Sequence, residues 1–505
     1  MLGGLELGDE VRIPAGPERQ LVPGDHSIEA AAEGASGHHS RDEQAHPKKR
    51  SANTRLPGIW AAEEPSPYHP HRTIRPLDTT PATSGVSRLQ RRQRGALRLS
   101  CLLAAAIGAL ALLGQQGDPS AKPLPAASAP HGALTIGAVI ALTGNANLYG
   151  QDQRLGIDLA RRWSLSQSPQ RPLRLQLEDG GSDEATAIAG FNLLINQGAL
   201  ALIGPTLSQQ AFAADPIAQR RGVPVVAPSN TAKGIPQIGH FISRVSAQSS
   251  VIAPLSIAEA LRRDPAIKRV AVIYAQDDAY STAETLIFQK ALTARGLPPV
   301  TVQRVQLADN DFQIPITAAL QQQPQLVVIS VQAVAGGNLI RQLRELGYRG
   351  QIVVGNGLNT PNIYPICQRW CDGILIAQAY SPELDTPINR TFQRLYQGVR
   401  PGQPPSQIAA QAFAAYQVMF EAVQRLQRRG GLAGVSLGQA REALMAELLG
   451  GQYDTPLGPI HFTPDGEVVQ GRFYVAQVRM DPGGRSGRFA LIRNATAPAA
   501  SPPAR

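Results

Sequence analysis

From residue 134 onward the chain alternates short, nearly unbroken apolar runs with longer stretches whose apolar residues recur every three or four positions. Runs of the first kind mark strands buried on both faces of a parallel sheet; stretches of the second kind mark amphipathic helices packed over it. LTIGAVIAL (134–142), LRLQLED (173–179), ALALIG (199–204) and VPVVAP (223–228) read as strands. Helices are expected between them: YGQDQRLGIDLARRW (149–163), a stretch with Asp183 as N-cap and Gly198 at its end, and one opened by Ser208. The rhythm then repeats, with KRVAVIYA (268–275), VTVQRVQL (300–307), LVVIS (326–330), QIVVGNG (351–357) and GILIAQAY (373–380) as strands. Three longer helical patterns follow at 388–399, 406–426 and 437–450, and then the β-like segments GPIHFT (458–463) and GRFYVAQV (471–478).

This order predicts an α/β protein of two doubly wound parallel-sheet lobes joined by a hinge and separated by a cleft. Residues 134–248 plus 374–458 are assigned to the first lobe, and 249–373 plus 459–495 to the second. Strand carboxyl ends and helix N-termini face the crevice of such folds, where ligands bind. One βα turn stands out there. In ALIGPTLSQQ the strand ends at Ile203, passes through Gly204-Pro205-Thr206-Leu207, and restarts as a helix at Ser208. A hydroxyl and unpaired backbone N–H groups at one point suit an anion. Capping of the helix by Ser208 itself is the plainer alternative.

Residues 1–87 lack any sustained apolar period and carry six of the nine histidines, scattered without metal-ligand spacing. They read as a disordered or over-extended N-terminal segment. Residues 88–129 follow with a basic stretch, an apolar run from Leu99 to Leu113 and a small-residue stretch ending Ala127-Ser128-Ala129. That is the order of a signal peptide, or of a signal anchor with its linker, and it points to translation starting near Val86 and to a periplasmic destination. Cys101 lies at the start of that apolar run rather than after it, against a lipoprotein cleavage site, and residues 496–505 read as a disordered tail.

The net charge of +10 is concentrated partly in KKR (48–50) and RLQRRQRGALR (88–98), outside the expected fold, and aromatics make up 5%. Nucleic acid is therefore not an expected partner. Cys367 and Cys371, in PICQRWCDG, can be bridged in a turn and kept so in an oxidising compartment; two free thiols are the alternative. No G-x-S-x-G, Walker A or H-E-x-x-H pattern occurs, and His131, His240 and His461 lie far apart. Neither catalysis nor a metal or cofactor is expected.

Five ordered motifs, IGAVIALTGNANLYGQDQRLGIDLA, LIGPTLSQQAFAADPIAQRRGVPVVAPSNT, VAVIYAQDDAYS, LIRQLRELG and VVGNGLN, resemble the leucine/isoleucine/valine-binding family of type I periplasmic solute-binding proteins over roughly residues 134–480. The resemblance implies the capture subunit of an ABC importer, closing two lobes on a small carboxylate-bearing ligand, usually an amino acid, and docking on a membrane permease. A membrane-anchored ligand-sensing receptor domain of the same fold is the alternative, with membrane contact through an uncleaved anchor. Ser208 matches the family's carboxylate-binding serine; Asn230 and Thr231, in APSNTA, match its second ligand loop; Tyr280 matches the tyrosine that reaches over from the second lobe. Tyr149 is a candidate for the pocket wall, with cleft-edge packing as its alternative. Where relatives that bind zwitterions carry an acid for the ammonium, this chain has Asn356 and Gly357, and where an aromatic is common it has Gln332. An amide oxygen accepts a hydrogen bond but does not balance a buried positive charge. An acid elsewhere, a weakly basic ligand and a carboxylate that is not an amino acid are each consistent with that substitution.

Overall fold

The computed structural model describes residues 134–169 and 173–496. The expected extension (1–87), the signal or anchor with its linker (88–129) and the expected tail, apart from Thr496, lie outside the described residues. Along the chain come β1 (Thr135–Ile140), α1 (Asn147–Gln167), β2 (Arg174–Asp179), α2 (Glu184–Asn196), β3 (Ala201–Ile203), α3 (Ser208–Arg220), β4 (Val225–Ala227) and β5 (Ile242–Arg244). These strands form an all-parallel sheet in the order β2-β1-β3-β4-β5.

The second alternation comprises α4 (Ser249–Arg263), β6 (Val270–Ala275), α5 (Ala279–Thr293), β7 (Thr301–Val305), α6 (Gln313–Gln321), β8 (Leu326–Ser330), α7 (Ala333–Glu345), β9 (Gln351–Val354), α8 (Tyr364–Cys367) and β10 (Leu375–Gln378). Then follow α9 (Pro387–Gln397), α10 (Gln407–Arg428), α11 (Leu437–Leu449), β11 (Gln452–Thr455), β12 (Gly458–Phe462), β13 (Val468–Gln470), β14 (Arg472–Met480) and β15 (Gly487–Thr496). The second sheet runs β15-β14-β10-β9-β8-β6-β7, with β14 and β15 antiparallel at one edge, and β11, β12 and β13 make a small sheet of their own.

Apolar runs become central strands because both faces of each sheet are covered. Along β1, Ile136, Ala138 and Ile140 enter the core shared with α10, while Val139 faces the opposite cluster with Phe191 and Leu194 of α2. Ile273 of β6 and Ile329 of β8 likewise face one cluster, and Val272 and Val328 the other. The edge strands β2 (RLQLED) and β7 (TVQRV) carry the polar residues, partly exposed, that a sheet rim tolerates.

The expected lobe boundaries need correcting. Residues 374–378 were expected in the first lobe, yet Leu375 pairs with Val353 and Ile376 with Val354, so β10 belongs to the second sheet. Residues 459–470 were expected in the second lobe, yet β12 and β13 pair with β11, and Ile460 and Phe462 join the core of the first sheet. The chain therefore passes between lobes after Gln378 and again after Gln470. Gln470 ties these two passages together, its Nε2 donating to the carbonyls of Ala379 (2.6 Å) and Arg472 (2.9 Å). The sequence pattern also misses β5, α4 and β15: β5 is three residues long and includes the buried Arg244, and α4 contains Pro254.

Cys367 and Cys371 are joined as a disulfide, their Cα atoms 5.5 Å apart and both side chains buried beside α7.

Candidate functional site

The turn between β3 and α3 is shaped by crowding. Gly204 has φ +125°, and a Cβ there would run into the carbonyl oxygen of Val139, so only glycine fits. Thr206 Oγ1 accepts from the Ala141 N–H (2.9 Å) and donates to Gln153 Oε1 (2.6 Å), pinning the turn to α1. Gln210 Oε1 accepts from the Leu207 N–H (3.1 Å). Ser208 is the first residue inside α3 rather than its cap, and among the described residues its hydroxyl meets only the Ala232 N–H, at 3.4 Å. The capping alternative for Ser208 is thereby removed. Asp183, by contrast, does cap α2, accepting from the Thr186 N–H at 2.9 Å.

The loop after β4 lies beside this turn. Ser229 Oγ donates to the Thr206 carbonyl (2.7 Å), and Asn230 Nδ2 donates to the same carbonyl (3.1 Å). The Asn230 carbonyl accepts from Arg244 and from Ser246 Oγ. Thr231 is left facing the cleft beside Ser208.

Across the cleft, the Tyr280 hydroxyl donates to Glu284 Oε2 (2.6 Å) and accepts from the Gly357 N–H (2.5 Å). Glu284 also accepts from Ser330 Oγ (2.9 Å) and the Asn356 N–H (3.1 Å). Burial lifts its carboxyl above the usual range, opposed by those same hydrogen bonds. Asp278 is buried too and is raised by burial; it accepts from Ser281 and, at 3.0 Å, from Gln332 Nε2. The Gln332 Oε1 at the other end of that amide is buried without a partner among the described residues.

Asn356 has a defined polarity. Its Oδ1 accepts from Gln407 Nε2 (2.9 Å) and Asn359 Nδ2 (3.0 Å). Gln407 is oriented by its Oε1, which accepts from the Ala379 N–H (2.6 Å), and Asn359 by its Nδ2, which donates to the Ala377 carbonyl (2.8 Å). A backbone group thus sets each neighbouring amide, and together they occupy the oxygen end of Asn356. At Gly357 a Cβ would press on the Val331 carbonyl at 2.5 Å and the Tyr280 ring at 2.8 Å, so no side chain fits.

The lobes are in contact. Tyr149, from α1, donates to the Gly357 carbonyl (2.5 Å) and accepts from the Ala333 N–H (2.6 Å). Thr360 Oγ1 donates to Asp152 Oδ2 (3.1 Å), and Asn362 Nδ2 to the Leu148 carbonyl (3.1 Å).

Between the lobes lies a cavity of about 40 Å3. A water needs about 10–15 Å3 of such space, so there is room for a small solute. Of the residues expected from sequence, Ser208, Thr231, Tyr280, Tyr149, Gln332 and Asn356 line it. Asn230, expected to act chiefly through its backbone, is not among the lining residues: its Nδ2 donates to the Thr206 carbonyl, and its own carbonyl is taken by Arg244 and Ser246. Thr206, Leu207, Ser229, Gly357 and Ile408 complete the lining. Ser229 stands in the same quoted loop as Thr231, whereas Ile408 comes from α10 and has no local signal. Among the described residues, none that lines the cavity is charged. A larger hollow of about 420 Å3, between Glu383 and Asn494, lies away from this cleft. Among the described residues there is no cluster of three or more metal-ligating side chains, and no helix is long and apolar enough to cross a membrane.

Residues 133–485 match the family model described as periplasmic binding protein. The chain is 22% identical over 355 residues to the Leu/Ile/Val-binding protein BraC3 of Rhizobium johnstonii, covering 68% of this chain and 91% of that one. A crystal structure of the leucine-binding protein LivK from Thermotoga maritima is similar with a TM-score of 0.62 and 25% identity, over 71% of this chain and 99% of that one. The solute-binding protein of an ABC transporter from R. palustris, solved in complex with 4-hydroxybenzoate, has a TM-score of 0.63 at 19% identity, over 72% and 98% of the two chains.

Proposed function

The chain belongs to the periplasmic binding protein family, and from that premise we propose that it is the extracytoplasmic capture subunit of an ABC importer, closing its two lobes on a small carboxylate-bearing solute. It is a solute-binding protein and not an enzyme. One observation carries the reading of the ligand: the Ser208 and Thr231 hydroxyls and the first turn of α3 converge on an interlobe cavity that holds no charged side chain. First-turn N–H groups lack intrahelical partners and carry positive partial charge, and two hydroxyls beside them complete an anion site. The Tyr149 and Tyr280 rings, Leu207 and Ile408 supply apolar walls for the rest of the solute. Asn230 serves as a positioning residue beneath Thr231.

Closure follows from the same groups. A solute touching Ser208 and Thr231 on one side and Tyr280, Gln332 and Asn356 on the other favours the state in which the lobes meet, and a permease then reads that state. The Cys367–Cys371 disulfide supports an oxidising, extracytoplasmic compartment. Relatives that bear on the solute include proteins named for leucine, isoleucine and valine and one solved with 4-hydroxybenzoate.

A thermal-shift screen of ligand-stripped protein against amino acids and simple carboxylates tests the reading. A carboxylate at one hundred times its dissociation constant should add about 2.7 kcal/mol and raise the melting temperature visibly. If no carboxylate does so, the anion site is not one.

A further inference from the structure

Resting on the carboxylate reading just given, we infer that the cleft selects carboxylates that lack an α-ammonium group and carry instead an uncharged hydrogen-bond donor, such as a hydroxyl, directed at Gln332.

An α-ammonium brought into a closed cleft loses its hydration and needs an anion or a full set of acceptors. The wall opposite Ser208 offers neither. Glycine stands at 357, and the Val331 carbonyl and Tyr280 ring leave no space for a carboxylate side chain there. Asn356 cannot substitute, because its oxygen already accepts from Gln407 and Asn359, which leaves the nitrogen as the uncommitted end of the amide. An NH2 donor aimed at an ammonium repels it, while an acceptor such as a carbonyl, hydroxyl or carboxylate oxygen satisfies it. The acids nearby are spent behind the wall: Glu284 accepts from Tyr280, Ser330 and the Asn356 N–H, and Asp278 from Ser281 and Gln332. Neither lines the cavity.

Gln332 supplies the positive half of the inference. It lines the cavity, is 4% exposed, and has its nitrogen fixed on Asp278, so its Oε1 is a buried acceptor without a donor among the described residues. A buried acceptor left unpaired is costly, and a neutral donor on the solute relieves it without bringing in a charge.

The test is titration calorimetry of the ligand-stripped protein with L-leucine, (S)-2-hydroxy-4-methylpentanoate, 4-methylpentanoate, benzoate and 4-hydroxybenzoate. The expected result is that a hydroxy acid binds at least about tenfold more tightly than leucine and more tightly than its own deoxy counterpart. Asn356→Asp should narrow or reverse the preference, since one oxygen keeps the Gln407 and Asn359 bonds and the other faces an ammonium. Gln332→Leu should bring hydroxy and deoxy acids to equal affinity. Leucine binding as well as or better than the hydroxy acid overturns the inference and leaves the carboxylate site standing. If none of the probes binds, the carboxylate reading falls and this inference with it.

Discussion

Arg244 and Glu467, far apart in the chain, form a two-pronged ion pair: Nε meets Oε2 at 2.9 Å and Nη2 meets Oε1 at 2.7 Å, with the arginine wholly buried. The remaining guanidinium nitrogen, Nη1, donates to the carbonyls of Asn230 (3.1 Å) and Ala232 (2.7 Å). One buried cation thus ties β5 to the loop before β13 and holds both sides of Thr231, a residue of the cavity wall, in place.

Replacing Arg244 with methionine leaves Glu467 buried beside no cation and frees both carbonyls. The expected cost is about 3–5 kcal/mol of stability, read from urea unfolding. Arg244→Lys should restore part of the stability but not ligand affinity, because an ammonium cannot span the carboxylate and both carbonyls at once. Equal affinity in the lysine variant and the native chain would show that the loop does not depend on this fork.

Ser208→Ala should weaken a carboxylate ligand by about 1–3 kcal/mol with little change in the unfolding midpoint, since the hydroxyl is not a helix cap. Asp183→Ala is the converse control. It removes a real cap and should cost about 1 kcal/mol of stability while leaving affinity unchanged. Calorimetric titration and chemical unfolding of both variants separate the two roles.

Tyr149→Phe keeps the aromatic wall and deletes the hydroxyl that joins Gly357 and Ala333 to the first lobe. Loss of a net hydrogen bond of about 1 kcal/mol should shift the population toward the open form and lower apparent affinity roughly fivefold. Small-angle scattering of the unliganded variant should show a larger radius of gyration than the native chain; identical curves would mean that the bridge does not govern closure.

Two buried acids give opposite pH signatures. Asp215, in α3, has no hydrogen-bond partner for either oxygen among the described residues, and burial raises its carboxyl well above the usual range. A raised folded-state value means that the folded chain holds this proton more tightly, so stability falls as pH rises above the ordinary carboxylate range. Glu259 is lowered from 4.5 to about 2, first by the hydrogen bond from Arg262, with Arg263 and Arg493 adding to it. Its contribution is present above pH 4.5 and is lost as pH falls toward about 2. Urea midpoints across pH should therefore flatten on the alkaline side in Asp215→Asn and on the acid side in Glu259→Gln.

Much of this protein is legible along the chain. Hydrophobic periodicity is local, and it suffices to mark LVVIS and TVQRV as strands and to place Ser208 at the start of a helix, although only the sheet order puts the second at an edge. The ordered motifs contain Ser208, Thr231, Tyr280 and Asn356, and all four line one cavity in the structure. A short apolar run such as LIAQ, however, carries no mark of which sheet it joins; that is decided by its register with Val353 and Val354. The direction in which Asn356 presents its amide is likewise invisible in the sequence, because it depends on Gln407, 51 residues away, and through it on the Ala379 N–H. Tyr149 meets Gly357 across 208 residues and Arg244 meets Glu467 across 223. Residue type and spacing determine which groups are available and which elements carry them. Hydrogen-bond direction, the partner of each buried charge and the sheet that a strand enters are properties of neighbours, and distant neighbours exist only once the lobes have folded.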